Sequence, residues 1–206
     1  DDEGNLGPEQ RFKLVVMASD VSLRRLVRLP WDYGFTYGLD PGEQSVVRAV
    51  RASMSIPFFF EPASLDYDRG GQTVTSKLVD GGMLSNFPVG CFDRSDGREP
   101  RWPTFGIKLS NRPEDQRMPE EVDDPLELTL AMISTMREFH DGMHIDRPAI
   151  RDRTIFVPTF GIKATEFDLS DDDADRLYES GQEAAQKFLD SWDFRAYKAK
   201  YRATAA

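Results

Sequence analysis

The stretch Lys77-Leu78-Val79-Asp80-Gly81-Gly82-Met83-Leu84-Ser85-Asn86-Phe87-Pro88 gathers the residue types most able to do chemistry. An apolar run delivers a carboxylate, Asp80, and two glycines follow it at once. In open α/β sheets, reactive groups collect beyond the carboxy ends of strands. Glycine after such a group tolerates positive φ and lets another backbone approach closely. A free carboxyl group, with a pKa near about 3.9, is a poor base for a hydroxyl. Desolvation raises that value towards the working pH and makes general-base chemistry accessible. The bland alternative is a strand followed by a tight turn, with Asp80 capping it, since Asp-Gly turns are common. Asn86 and Pro88 are expected to shape the following turn, one by bridging backbone groups and the other by its fixed φ.

Other reactive side chains are weaker candidates. Ser53 and Ser55 flank a helix end in Ala52-Ser53-Met54-Ser55-Ile56-Pro57, but Ile56-Pro57 follows Ser55 rather than a glycine turn. No Gly-x-Ser-x-Gly and no glycine-rich oxyanion loop occurs in the chain. His140 and His144 stand four apart, a spacing used by metal sites. No Glu follows His140 in the zinc-protease manner, and Gly142 weakens the helix between them, so solvated helix-end histidines are expected. No metal or cofactor is expected. Cys91 has no second cysteine to pair with, which fits a reducing compartment and predicts a cytoplasmic protein.

Acidic residues outnumber basic ones by 36 to 26 over the 206 residues, which argues against nucleic acid as a partner. No apolar run approaches the ~20 residues needed to cross a bilayer. The opening Asp1-Asp2-Glu3-Gly4-Asn5 is polar, forms no signal peptide and lacks Met, so the chain is expected to begin inside a longer protein.

Strand-like apolar runs alternate with helical patterns, which indicates an α/β class. Phe12 to Ala18, Thr73 to Val79, Thr104 to Leu109 and Thr154 to Val157 read as strands. Asp40-Pro41-Gly42-Glu43 has the arrangement of a helix start, with Asp as cap and Pro at the first position. Val46, Val47, Val50 and Met54 share one face of that helix, and Pro57 ends it. Asn111 to Asp124 is expected to be a mobile surface loop. Asp124-Pro125-Leu126-Glu127 repeats the start signal, opening a helix with Leu126, Leu130, Ile133 and Met136 inward. Ser170 and Asp173 cap a last helix, where Ala174, Leu177, Tyr178, Gly181, Ala185, Phe188, Leu189 and Trp192 keep a packing period.

Taken together, Ala52-Ser53-Met54-Ser55-Ile56-Pro57 and Asp80-Gly81-Gly82 with Asn86-Phe87-Pro88 resemble the patatin-like phospholipases. In that family an Ala-Ser-x-Ser-x-Pro helix end precedes an Asp-Gly-Gly turn followed by Asn-x-Pro. Val15 to Asp20 looks like the strand before this helix, and Phe167-Asp168-Leu169-Ser170 with the closing helix looks like the late region. The resemblance implies a three-layer α/β/α sandwich, incomplete in this chain. Residues 1–206 would be the carboxy-terminal portion of a single acyl hydrolase domain. It further implies phospholipase A-type ester hydrolysis by a Ser–Asp dyad, with Asp80 as the aspartate, serines 53 and 55 kept for structure, and no metal. The nucleophilic serine and the oxyanion loop would lie upstream, so the chain alone is expected to be inactive. The implied partners are a lipid or acyl ester, the amino-terminal segment carrying the serine, and a membrane surface touched peripherally. A catalytically inactive module binding lipid or protein is the alternative.

Under this resemblance three segments keep two readings each. The aromatic loop Trp31-Asp32-Tyr33-Gly34-Phe35-Thr36-Tyr37 either lines an acyl-chain channel or packs against the sheet. Phe58 to Phe60 pose the same choice. The tail from Phe194, with Arg195, Lys198, Lys200 and Arg202, suits either an anionic lipid surface or the negative end of a helix dipole.

Overall fold

A computed structural model describes residues 11–84, 87–94, 98–109, 122–145, 147–162 and 166–202. They fall into two compact units, one within Asp1–Asn86 and Val122–Asp141, the other within Phe87–Glu121 and Gly142–Ala206. Sheets and helices in both give the mixed α/β class that the sequence leads one to expect.

The first unit is built on a four-stranded sheet in the order β2-β1-β4-β3, with β1 (Val16–Asp20), β2 (Arg25–Leu29), β3 (Ala63–Asp68) and β4 (Thr73–Asp80). Every pairing is antiparallel. Strands β2 and β3 are additions to the sequence expectation, which the charges at Arg25, Arg28, Asp66 and Asp68 had hidden. In β3 the acids alternate with buried Leu65 and Tyr67, and in β2 Arg25 sits exposed at the strand start while Val27 and Leu29 stay buried, so each strand still presents one dry face. Gly70 and Gly71, both at positive φ, turn the chain from β3 into β4, and Asp68 Oδ1 accepts from Gly71 N at 3.0 Å.

Ala18, Val27, Leu29, Leu65, Tyr67 and Leu78 make the dry face of this sheet, and two helices cover it. Helix α1 (Trp31–Tyr37) stands where the sequence suggested a loop. It is closed by Gly38 at φ 68°, with Gly38 N donating to Gly34 O and Leu39 N to Tyr33 O. Two turns are too short for a helical period to show in sequence. Its Trp31, Tyr33 and Tyr37 are buried, which is the packing reading, while Phe35 is exposed.

Helix α2 (Val46–Ser53) starts later and ends earlier than expected. Asp40 caps only a short 3-10 turn at Pro41–Glu43, and Ser45 caps the helix itself, accepting from Arg48 N at 3.4 Å. Ala49 and Ala52 are its buried residues. Arg48 donates to Ser64 O at 3.3 Å and Arg51 to Glu61 O at 2.9 Å, bonds that fix the roll of the helix against the β3 side. Val46, Val47, Val50 and Met54 do share a face, but it is exposed.

Helix α3 (Pro125–Ile145) begins as expected, with Asp124 Oδ1 accepting from Glu127 N at 2.9 Å. Leu130 and Ile133 are half-buried, but Met136 is exposed, a correction to the expected inward stripe. At about 100° per residue Met136 lies about 120° round the helix from Leu130, beyond the edge of that stripe. The expected loop at Asn111 to Asp124 lies largely outside the described residues.

In the second unit β5 (Gly106–Leu109) pairs in parallel with β6 (Thr154–Val157). Phe87, Val89 and Ile145 are buried together, with Ile150 and Phe156 against them. Helix α4 (Pro148–Arg151) leads into β6. Helix α5 (Asp171–Leu189) has the expected cap, Ser170 Oγ accepting from Asp173 N at 3.2 Å. Leu177, Ser180, Gly181, Ala184, Ala185 and Phe188 lie on its inner side, whereas Ala174, Tyr178 and Leu189 are exposed. Helix α6 (Phe194–Tyr201) is anchored by Tyr197, whose hydroxyl donates to Ala149 O at 2.8 Å. Lys198 pairs with Glu99, Lys200 with Asp152 and Arg202 with Asp93, so three of the tail's cations are engaged by acids of the same unit.

Candidate functional site

Asp80 closes β4, opposite Ala18 of β1, and is half-buried. Strand β4 is antiparallel to both neighbours, so the crevice rule for parallel sheets does not account for its position. Two close contacts do. Asp80 N donates to Ser55 O at 2.9 Å, tying the strand end to the chain just after α2. Gly81 is buried against β1: a Cβ there would lie 2.6 Å from Met17 C and 2.7 Å from Met17 Cβ. Only a residue without a side chain permits that approach. The chain then turns into a single 3-10 turn at Gly81–Met83, and Asp80 Oδ1 caps it by accepting from Gly82 N at 2.6 Å. That bond sets the rotamer of the side chain. A carboxylate has about four acceptor positions, so such a bond is compatible with taking a proton from a hydroxyl.

The two segments singled out in the sequence therefore meet at a backbone hydrogen bond. Ser55 itself is fully buried; its hydroxyl donates to Arg51 O at 2.6 Å and accepts from the Arg51 guanidinium. Its hydrogen-bonding capacity serves the helix end, as expected of a structural serine. Ser53 is the last residue of α2 and half-buried. Asn86 lies outside the described residues. Pro88 belongs to the second unit, where its carbonyl accepts from Cys91 N at 2.9 Å and opens a turn. The helix α3 backbone runs unbroken through Gly142, but the side chains of His140 and His144 are outside what is described. Among the described residues no group of three or more His, Cys, Asp and Glu could hold a metal ion.

A buried carboxylate at another strand end escaped the sequence reading. Asp20 ends β1 as Asp80 ends β4, and that strand-end position was the signal available. Its two oxygens accept from Leu23 N at 2.8 Å and from the Tyr37 hydroxyl at 2.7 Å. Burial, reinforced by that bond, pushes the Tyr37 phenol well above its ordinary pKa. Asp20 thus locks α1 to the sheet. Arg51 was also missed; spaced four residues before Ser55, it spans Ser55 and Glu61 O.

Two cavities flank α2. One, of about 270 Å³, is apolar and lined by residues including Leu14, Val16, Leu29, Tyr33, Ala49 and Val50. The other, of about 340 Å³, is more polar and includes Arg48, Arg51, Ser64 and Leu78. Asp80 lines neither. No described helix is long and apolar enough to cross a membrane.

Asp80 is thus a strand-end acid fixed by a glycine turn and by the Ser55 carbonyl. Residues 7–93, which hold both segments, match the family model for patatin-like phospholipase, so over this stretch the chain is similar to that family. The match is confined to the first part of the chain and does not bear out the expected carboxy-terminal placement. The chain is also 37% identical over 188 residues to the uncharacterized protein YqhO of Bacillus subtilis (strain 168). That alignment covers 91% of this chain and 61% of YqhO, so the chain spans about three fifths of the length of this relative.

Proposed function

We propose that the chain is the acid-bearing part of a lipid acyl hydrolase, in which Asp80 is the partner of a serine nucleophile carried on polypeptide beyond these 206 residues. What supports the reading is the doubly held Asp80: Ser55 O and the Gly81 approach to Met17 fix its backbone, and Gly82 N fixes its carboxylate. The patatin-like match over residues 7–93 supports a lipid acyl ester as the substrate class. In this reading the Asp80 carboxylate takes the proton as the serine Oγ attacks the acyl carbonyl. The departing alcohol collects that proton, leaving an acyl-enzyme. Water then attacks the ester, again giving its proton to Asp80, and the serine regains it as the fatty acid leaves. Backbone N–H donors for the oxyanion, worth roughly 3–4 kcal/mol each, would come from the same further polypeptide. The 206 residues by themselves turn over no ester.

The test is Asp80→Asn, with Asp80→Ala beside it, in the full-length protein, assayed on a chromogenic short-chain ester and on a fluorogenic phospholipid. Loss of general-base assistance predicts a fall in kcat of at least about 10²–10⁴-fold, with an unchanged circular dichroism spectrum. Unaltered turnover in both variants refutes the role of Asp80. A full-length protein that hydrolyses neither ester yet binds phospholipid vesicles would favour the inactive binding module.

A further inference from the structure

The outward face of α2 is apolar and exposed. Val46, Val47, Val50 and Met54 are 61%, 77%, 39% and 52% exposed, and at about 100° per residue they span an arc of about 100°. An amphipathic helix normally turns such a stripe towards a core. Here the core side is given to Ala49 and Ala52, and the stripe faces away. It continues into a concavity. The apolar cavity of about 270 Å³ is lined by Val46 and Val50 together with Phe12, Leu14, Val16 and Leu29. Contiguous exposed apolar surface next to a recess marks a place where other atoms belong.

We propose that this face and its cavity form the seat for further polypeptide of the same protein, an apolar segment that inserts side chains into the recess and covers α2. The occupant follows from three observations. YqhO exceeds the region it shares with this chain by about two fifths of its length, so a protein of that length has polypeptide to supply. The cavity, about 270 Å³ and lined mainly by apolar side chains, has the scale and chemistry to take a few apolar side chains. A lipid surface is a poorer match. Arg48 and Arg51 are turned to the opposite flank, bonded to Ser64 O and Glu61 O, and the net charge is −10. The proposal shares with the hydrolase reading the need for polypeptide beyond these residues, but nothing in it involves Asp80.

The test is cysteine accessibility in the full-length protein, with its native cysteines, Cys91 included, replaced by serine. Val47→Cys is compared with Arg69→Cys, an exposed site in the β3–β4 turn, by the rate of modification with a polyethylene-glycol maleimide. A covered position reacts only through local opening, so Val47→Cys should react at least about 100-fold more slowly, at every protein concentration tried. Val46→Cys repeats the measurement should Val47→Cys fail to fold. Rates equal to that of Arg69→Cys overturn the proposal. So does protection that fades on dilution, which would mean a second copy, or protection seen only with phosphatidylcholine vesicles, which would mean a lipid surface. A reading frame with nothing beyond these residues overturns it too. No turnover is measured, so a failed Asp80 assignment and a failed docking face give separate results.

Discussion

Gly81→Ala adds one methyl group at the tightest backbone contact of the site. The new Cβ would lie 2.6 Å from Met17 C and 2.7 Å from Met17 Cβ. Carbon atoms rest at about 3.5–4.0 Å, so the intrusion is about 1 Å. The obstacle is the backbone of β1, held to β2 by its own ladder and to β4 at Ala18, so it cannot swing aside as a side-chain tip would. Overpacking of this kind costs about 1–3 kcal/mol. Alanine gives back about 0.4–1 kcal/mol by reducing the freedom of the unfolded chain. A net loss of about 1 kcal/mol follows, and with a urea slope of about 2 kcal/mol per M the midpoint falls by about 0.5 M. Gly181→Ala is the control, since nothing lies within 4 Å of its added Cβ and it sits inside α5. There alanine should raise stability by about 1 kcal/mol through helix propensity. Urea titrations followed by circular dichroism give both numbers. The reasoning fails if Gly81→Ala unfolds at the wild-type midpoint, or if the two substitutions shift it in the same direction.

Two further outcomes follow from the hydrogen-bonded carboxylates Asp20 and Asp93. Tyr37→Phe removes one of the two donors to buried Asp20 and should cost about 1–3 kcal/mol by urea titration; a neutral result would mean that α1 is held by packing alone. For Asp93, burial alone would raise the pKa, but hydrogen bonds and charge from Arg153 and Arg202 outweigh it and hold the group below the usual carboxylate range. A depressed folded pKa gives stability that is present above the unfolded value near about 3.9 and is lost as pH falls through the folded one. The urea midpoint should therefore drop below about pH 4 in wild type, and Asp93→Ala should flatten that limb. At pH 7 the same variant strands the buried Arg153 and should lose about 3 kcal/mol, and an unchanged midpoint at pH 7 would refute the pairing argument.

What could be read from the sequence was local and strongly patterned. The strand at Thr154–Val157, the Ser170 cap and the strand end at Asp80 follow from short-range rules and stand where those rules put them. Strands β2 and β3 did not, because a charge on the wet face of a half-buried strand looks the same in sequence as a charge in a loop. Helix α1 was hidden by its length of 7 residues. The orientation of α2 was hidden for a different reason. Periodicity reports that Val46, Val47, Val50 and Met54 share a face, but not which face meets the sheet. The observed choice involves contacts distant in sequence: Ala49 and Ala52 pack into the core of the sheet, and Arg48 and Arg51 reach the carbonyls of Ser64 and Glu61, 16 and 10 residues away.

The same long-range bonds explain why the helix-end motif and the acid motif accompany each other. Asp80 N finds its partner in Ser55 O, and that carbonyl is available only because the chain leaves α2 at Ser53. The Ser55 hydroxyl, bonded to Arg51 O, keeps the exit in place, and Arg51 in turn holds Glu61 O at the approach to β3. A change at Ser55 therefore reaches Asp80 through the backbone, although Ser55 offers no hydroxyl to a substrate. What the serine of this motif holds is the strand end on which Asp80 stands, through its carbonyl. In sequence a serine motif paired with a strand-end acid invites a nucleophilic role. The bond from its hydroxyl to Arg51 O separates the two roles, because a hydroxyl committed to the helix end has no proton to give to Asp80.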